Sequence, residues 1–258
     1  MKMDFRLDGP EDAPLLVLSN SLGTTLDLWQ PLMAALTRHF HVLRYNARGH
    51  GSTPLPASSL TLERLGLDVI DLLDKLRVER ALFCGISLGG MTGLWLSRFY
   101  PQRFHRMVVA NTAARIGTPE SWLNRATQIR RDGLSTVAAT CSSRWFTPAF
   151  VRAAHPQVTR LIMQLAHADP AGYAACCEVL AAADLRADVR RMTVPLLVIA
   201  GEQDPVTTVE DARWLTSHIP AASLLRLPTS HLSCIACPAA FSEAVSEFLL
   251  RGSTNPPG

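Results

Sequence analysis

The sequence predicts an α/β fold with a mainly parallel sheet covered on both faces by helices, and three observations predict it. Short apolar runs of strand length alternate with longer stretches whose apolar residues recur at helical spacing. The runs are rich in Leu, Val and Ile throughout, as strands buried on both faces require. The alternation breaks once, from about Arg115 to Asp188, and then resumes.

Taken in order, Leu15-Leu16-Val17-Leu18 reads as the first buried strand. Asp27 to Leu36 reads as a helix with Asp27 near its N-cap. His41-Val42-Leu43-Arg44-Tyr45 is the next strand. Thr61 caps a helix whose Leu62, Leu65, Val69, Leu72, Leu73 and Leu76 share one face. Ala81-Leu82-Phe83-Cys84 is strand again, followed at once by Gly85-Ile86-Ser87-Leu88-Gly89 and the small-residue run Gly90-Met91-Thr92-Gly93. Met107 to Ala110, Pro195 to Ala200 and Ser223 to Leu227 continue the strands. The interruption is Ala-rich and helix-favouring, with Trp122, Trp145, Phe146 and Tyr173 but no strand pattern. It predicts an inserted helical cap over 115–188, with 1–114 and 189–258 forming the core. A last helix from Ala239 to Leu250 docks on the sheet, and Gly252 to Gly258 reads as a loose tail.

Composition narrows the function classes. A chain of 258 residues suits one α/β domain carrying an insertion. With 48% hydrophobic and 18% charged residues it can bury a sizeable core. The net charge of +3 comes from 25 Lys and Arg spread without a basic block, so nucleic acid is not an expected partner. Met1 to Arg6 contains no apolar signal segment, and no stretch has the eighteen or so uncharged residues of a membrane span. A cytoplasmic protein with no membrane partner is expected, while the residues leave the oligomeric state open. Cys84 lies in a strand-like run and Cys176-Cys177 are adjacent, so the six cysteines read as reduced thiols.

In its strand-turn-helix setting, Gly85-Ile86-Ser87-Leu88-Gly89 reads as a nucleophile elbow, in which glycines permit a sharp turn and expose the serine hydroxyl above the sheet. The plainer alternative is a glycine-rich turn whose serine caps a helix. A serine hydroxyl is a weak nucleophile, so the elbow requires a carboxylate and a histidine base later in the chain, in that order. Asp204 follows the strand ending at Ala200, and His231 follows the strand ending at Leu227. Neighbouring strand ends are where α/β sheets bind ligands. Glu202 competes with Asp204, which also suits a turn before Pro205, and His231 could merely cap the final helix. His50, close after Tyr45, is the other histidine near a strand end. His231-x-x-Cys234-x-x-Cys237 also spells three zinc-type ligands. A metal there would remove the base, so no metal and no cofactor are expected.

At these residues the chain resembles the α/β-hydrolases, and within them the 3-oxoadipate enol-lactonases. Ser19-Asn20-Ser21-Leu22-Gly23-Thr24-Thr25 with Trp29 is similar to that family's oxyanion loop. Arg44 to Ser52 resembles its second landmark, with Asn46 where an acidic residue is usual. Gly85 to Gly93 looks like the lactonase elbow, and Arg144-Trp145-Phe146-Thr147-Pro148 is similar to a recurrent stretch. The likeness covers nearly the whole chain and departs after His231, where Cys234 and Cys237 stand at or near positions usually Asn and Glu.

The resemblance implies an α/β-hydrolase fold and the opening of 3-oxoadipate enol-lactone, a step of aromatic catabolism in the β-ketoadipate pathway, through an acyl-enzyme. It implies Ser87 as nucleophile, His231 as general base and then acid, and Asp204 as the group that orients His231. The backbone amides of Leu22 and Leu88 would form the oxyanion hole. For a small lactone carrying a carboxylate, Arg144 would supply a cation and Trp145 an apolar wall. Packing alone is the alternative for those two. Another α/β-hydrolase, such as a carboxylesterase or carbon–carbon bond hydrolase, or a non-catalytic ligand-binding protein, would share the core. A dehalogenase would want a carboxylate at position 87.

Overall fold

The computed structural model describes residues 3–153 and 156–251. The tail read above over 252–258 lies outside the described residues. Seven strands make one sheet: β1 (Phe5–Asp8), β2 (Leu15–Ser19), β3 (His41–Tyr45), β4 (Ala81–Ile86), β5 (Phe104–Ala110), β6 (Leu196–Gly201) and β7 (Ala222–Leu227). Their order is β1-β3-β2-β4-β5-β6-β7. All pairings are parallel except that of β1 with β3. β2, β4 and β6 are buried at every residue, as their unbroken apolar runs require. β1 escapes the sequence reading because Phe5-Arg6-Leu7-Asp8 alternates over only four residues, the pattern of a half-solvated edge.

The helices of the core are α1 (Met33–Leu36), α2 (Leu62–Lys75), α3 (Leu88–Phe99), α9 (Val209–His218), α10 (Ser233–Ala236) and α11 (Pro238–Leu250). The α2 cap is as expected, with Thr61 Oγ1 accepting the Arg64 N–H at 3.0 Å. The expected helix from Asp27 to Leu36 is different. Leu26–Leu32 is a 3-10 helix, capped by Thr25 rather than Asp27, and only the four residues of α1 are α-helical. Pro31 is the physical reason: it lacks an N–H and disfavours α geometry at the residue before it.

Between β5 and β6 lie α4 (Pro119–Asp132), α5 (Ser135–Trp145), α6 (Pro148–Arg152), α7 (Pro156–Ala166) and α8 (Pro170–Ala182), with no strand among the described residues there. Thr118-Pro119, Thr147-Pro148 and Asp169-Pro170 start three of these helices, each with a capping side chain followed by a proline preorganised for the first turn. Within the segment α4 packs on α8 and α5 on α7. Among the described residues no helix is long and apolar enough to cross a membrane.

Strand β2 has β3 on one side and β4 on the other, so the chain changes direction between β2 and β4. The crevice beyond their carboxyl ends is the switch point where α/β sheets bind ligands. The loop after Ser19 and the turn at Ser87 meet there.

Candidate active site

Ser87 adopts φ 57° and ψ −116°, a left-handed conformation that is strained for a residue with a side chain. The neighbourhood holds it: Ser87 N–H donates to the Ala110 carbonyl at 2.9 Å, and its own carbonyl accepts from Thr112 Oγ1 at 2.8 Å. The flanking glycines allow the close approach. A Cβ at Gly85 would collide with the Gly89 carbonyl, and one at Gly89 with the Ser19 carbonyl of β2.

His231 Nε2 lies 2.9 Å from Ser87 Oγ, and His231 Nδ1 lies 2.8 Å from Asp204 Oδ2. All three side chains are buried. An ionised Asp204 fixes the tautomer with the proton on Nδ1, so Nε2 accepts from the serine hydroxyl. Asp204 is itself anchored, its Oδ1 accepting the Val206 and Thr207 N–H groups at 2.8 and 3.1 Å. Oδ2 also accepts from Thr207 Oγ1 at 2.8 Å and Asn111 Nδ2 at 3.0 Å. Burial alone would raise this carboxyl. The charge and hydrogen bond of His231, with the Asn111 and Val206 donors, reverse that and hold it below the ordinary carboxylate range. Glu202, the competing acid, is half exposed and pairs with Arg226 at 3.7 Å.

The loop after β2 is pinned on both sides of Leu22. Asn20 Nδ2 donates to the Tyr45 carbonyl at 2.7 Å, while Asn20 Oδ1 accepts from Trp29 Nε1 at 2.7 Å. Beyond Leu22, the Gly23 N–H donates to His50 Nε2 at 3.0 Å. His50 is thus committed to the loop and away from Ser87, and burial lowers its pKa so that it stays a neutral acceptor. Asn46, in the same landmark, accepts the Leu26 N–H at 2.7 Å. Among the described residues the amides of Leu22 and Leu88 have no acceptor. Leu88 opens α3, where the helix dipole favours a developing negative charge.

A cavity of about 260 Å³ opens onto Ser87 and His231, lined on its other side by Arg144 and Trp145 from α5 and by Trp122, Arg125 and Tyr173. Arg125 has no counterpart in the sequence reading. Its guanidinium stacks 5.0 Å from the Trp122 ring and shares the cavity wall with Tyr173, whose pKa burial pushes up to about 12. Among the described residues neither Arg125 nor Arg144 pairs with a carboxylate. Burial and the adjacent Arg125 charge lower the pKa of Arg144. Two cations facing one small cavity create a place where an anion is favoured.

A family model described as the alpha/beta hydrolase fold matches residues 14–236. The chain is 45% identical to 3-oxoadipate enol-lactonase 2 of Acinetobacter baylyi, over 96% of this chain and 93% of that one. The 3-oxoadipate enol-lactonase 1 of the same organism is 40% identical, over 96% and 92%. The chain belongs to the 3-oxoadipate enol-lactonase family of α/β-hydrolases. The crystal structure of the enol-lactonase from Burkholderia xenovorans LB400 superposes with a TM-score of 0.93 at 42% identity, covering 96% of each chain.

After His231 the two cysteines are packing residues. Cys234 is buried in α10, its thiol pushed up to about 12 by burial, and Cys237 sits at the junction of α10 and α11. Both ring nitrogens of His231 are already engaged. Among the described residues no three His, Cys, Asp or Glu side chains gather as a metal-holding group. The histidine loop is gripped by the end of α5, with Ser230 Oγ donating to the Arg144 carbonyl at 2.9 Å and Leu232 N–H to the Trp145 carbonyl at 3.0 Å. The one sequence signal for Arg125 was Trp122-x-x-Arg125, a spacing that stacks two side chains on one helix face.

Proposed function

We propose that this enol-lactonase opens 3-oxoadipate enol-lactone to 3-oxoadipate by serine catalysis. Ser87 is the nucleophile, His231 the general base and then acid, Asp204 its orienting group, and the Leu22 and Leu88 amides the oxyanion hole. The observation that carries this reading is the hydrogen-bonded chain from Ser87 Oγ through His231 to Asp204, at 2.9 and 2.8 Å, on the wall of a cavity that holds two arginines without carboxylate partners.

Ser87 Oγ attacks the lactone carbonyl as His231 Nε2 takes its proton, and the imidazolium is stabilised by ionised Asp204. The carbonyl electrons move onto oxygen, where the two amides meet the charge; one such donor is typically worth about 2.7–4 kcal/mol in the transition state. Collapse breaks the ring carbon–oxygen bond and releases the enol oxygen, which takes the His231 proton, and the enol becomes the ketone. An enol leaves more readily than an alcohol. Water then attacks the acyl group, giving its proton to His231, and Ser87 departs with that proton restored. The residues require no metal, nucleotide or redox partner for any of these steps, and a chelator should leave turnover unchanged.

Arg144, together with Arg125, pairs with the substrate carboxylate and aims the lactone carbonyl at Ser87, while Trp145 forms the apolar wall. Residues 115–188 act as a cap that supplies this recognition and excludes water from the acyl-enzyme. A carboxylesterase or carbon–carbon bond hydrolase would use the same triad. The paired arginines favour an anionic substrate instead.

A spectrophotometric assay of enol-lactone loss, run beside neutral p-nitrophenyl esters, tests the substrate. Lactone opening should dominate and vanish in Ser87→Ala; rapid ester cleavage with no lactone opening overturns the reading. Arg144→Ala and Arg125→Ala should each raise the lactone KM about tenfold or more, the loss of a charge-assisted hydrogen bond, with little effect on the neutral ester. Equal effects on both substrates would remove the arginines from carboxylate recognition.

A further inference from the structure

One tripeptide at the end of β5 touches all three loops that carry the triad. The Ala110 carbonyl accepts the Ser87 N–H at 2.9 Å, and Thr112 Oγ1 donates to the Ser87 carbonyl at 2.8 Å. Between them the Asn111 side chain turns the other way. Its Nδ2 donates to Asp204 Oδ2 at 3.0 Å and to the Ser230 carbonyl at 3.1 Å, while Oδ1 accepts from Ser233 Oγ at 2.5 Å. The amide has only one sensible orientation, because exchanging N and O would set its carbonyl against a carboxylate and a second carbonyl. Ser230 and Ser233 bracket His231, so the base and its acid are tied to the same amide.

The backbone supports a specific purpose. Asn111 has φ 44°, one of the left-handed non-glycine residues of the chain, and is 1% exposed. Its N–H still extends the sheet by donating to the Ile199 carbonyl at 2.8 Å. The left-handed turn lets residues 110 and 112 face the elbow while residue 111 faces Asp204 and the histidine loop. Asn tolerates this conformation better than most residues with a side chain, and its short amide has the donors and acceptor that the corner uses. Strain retained at a buried polar residue is a signal of function.

We infer that Asn111 is a positioning residue for catalysis, the latch that holds Asp204 and the His231 loop in register with Ser87. The inference rests on the triad proposed above. Asn111 touches no substrate; it fixes the carboxylate rotamer and the distance between the loops after β6 and β7. Misplacement of the base by a fraction of an ångström lowers the rate of proton transfer without changing the cavity that binds the lactone.

The decisive variant is Asn111→Gly, because glycine accepts the left-handed backbone and removes only the latch. It should fold and keep the lactone KM within about twofold, while kcat and the rate of fluorophosphonate labelling of Ser87 both fall about 10- to 100-fold. Unchanged kcat, or a KM that rises as far as kcat falls, overturns the role. Should the glycine variant fail to fold, Ser233→Ala decides: it frees Asn111 Oδ1 and should lower kcat several-fold at unchanged KM, and unaltered turnover overturns the latch. Wild type and Ser87→Ala run alongside separate the two hypotheses. If wild-type Ser87 does not label, the triad itself is wrong; if it labels and Asn111→Gly labels equally fast, only the latch is wrong.

Discussion

At Ser87 a left-handed backbone, two close glycines and a helix N-terminus coincide, and together they present one hydroxyl to a buried histidine 2.9 Å away. The same economy holds at Asp204, whose two oxygens accept five hydrogen bonds in all, from His231, Asn111, Thr207 twice and Val206. Asp204→Asn keeps the shape but lets the histidine take the wrong tautomer, so kcat for the lactone should fall about 10⁴-fold with KM little changed. Stability should respond to acid in a definite direction. The folded carboxyl titrates below its unfolded value of about 3.9, so its ionised form stabilises the fold above that pH, and the contribution is lost as pH falls through the depressed folded value. Urea midpoints should therefore drop more steeply below pH 4 in wild type than in Asp204→Asn. An equal slope in both proteins would mean that other carboxylates govern the acid limb.

Among the elements, α2 shows local sequence and tertiary structure agreeing. Thr61 caps it, Glu63 sits in the first turn and Lys75 in the last, and its apolar residues share the buried face. Thr61→Ala should cost about 1 kcal/mol and lower Tm by about 2–4 °C, leaving lactone turnover untouched because α2 contributes nothing to the cavity. A fall in kcat would connect α2 to the site by a route not visible in its contacts. Two elements were harder to read. The segment Leu26–Leu36 has the apolar spacing of a helix, but Pro31 withholds one hydrogen bond and leaves a 3-10 turn with a short α continuation. β1 is legible only as half of a pair, since its alternation gains meaning when Phe5 to Asp8 meets Tyr45 to Val42.

For the molecule as a whole, the segment between β5 and β6 reaches back to the core through the histidine loop. The Arg144 and Trp145 carbonyls accept from Ser230 and Leu232, on either side of His231, while the Arg144 side chain faces the cavity. On the proposed roles, recognition of the substrate and placement of the base would share one helix end. Ser230→Ala should cost about 1 kcal/mol, the net value of an ordinary hydrogen bond, and lower kcat for the lactone and for a neutral ester alike. Loss confined to the lactone would assign the contact to recognition instead of to the base.

The mainly parallel sheet is legible in the sequence, as is the placing of Ser87, Asp204 and His231 each after an apolar strand run, and strand ends in such a sheet converge. The sequence also carried the family resemblance through the loop around Leu22 and the elbow. Only the tertiary structure hydrogen-bonds Asp204 to His231 while Glu202 pairs with Arg226, ties His50 to Gly23, and brings Arg125 to the cavity and Asn111 to Asp204. The physical reason is the same in each case. Hydrogen bonds and charges act over a few ångströms between residues as far apart as Asn111 and Ser233, and that distance is set only when separate strands lie side by side.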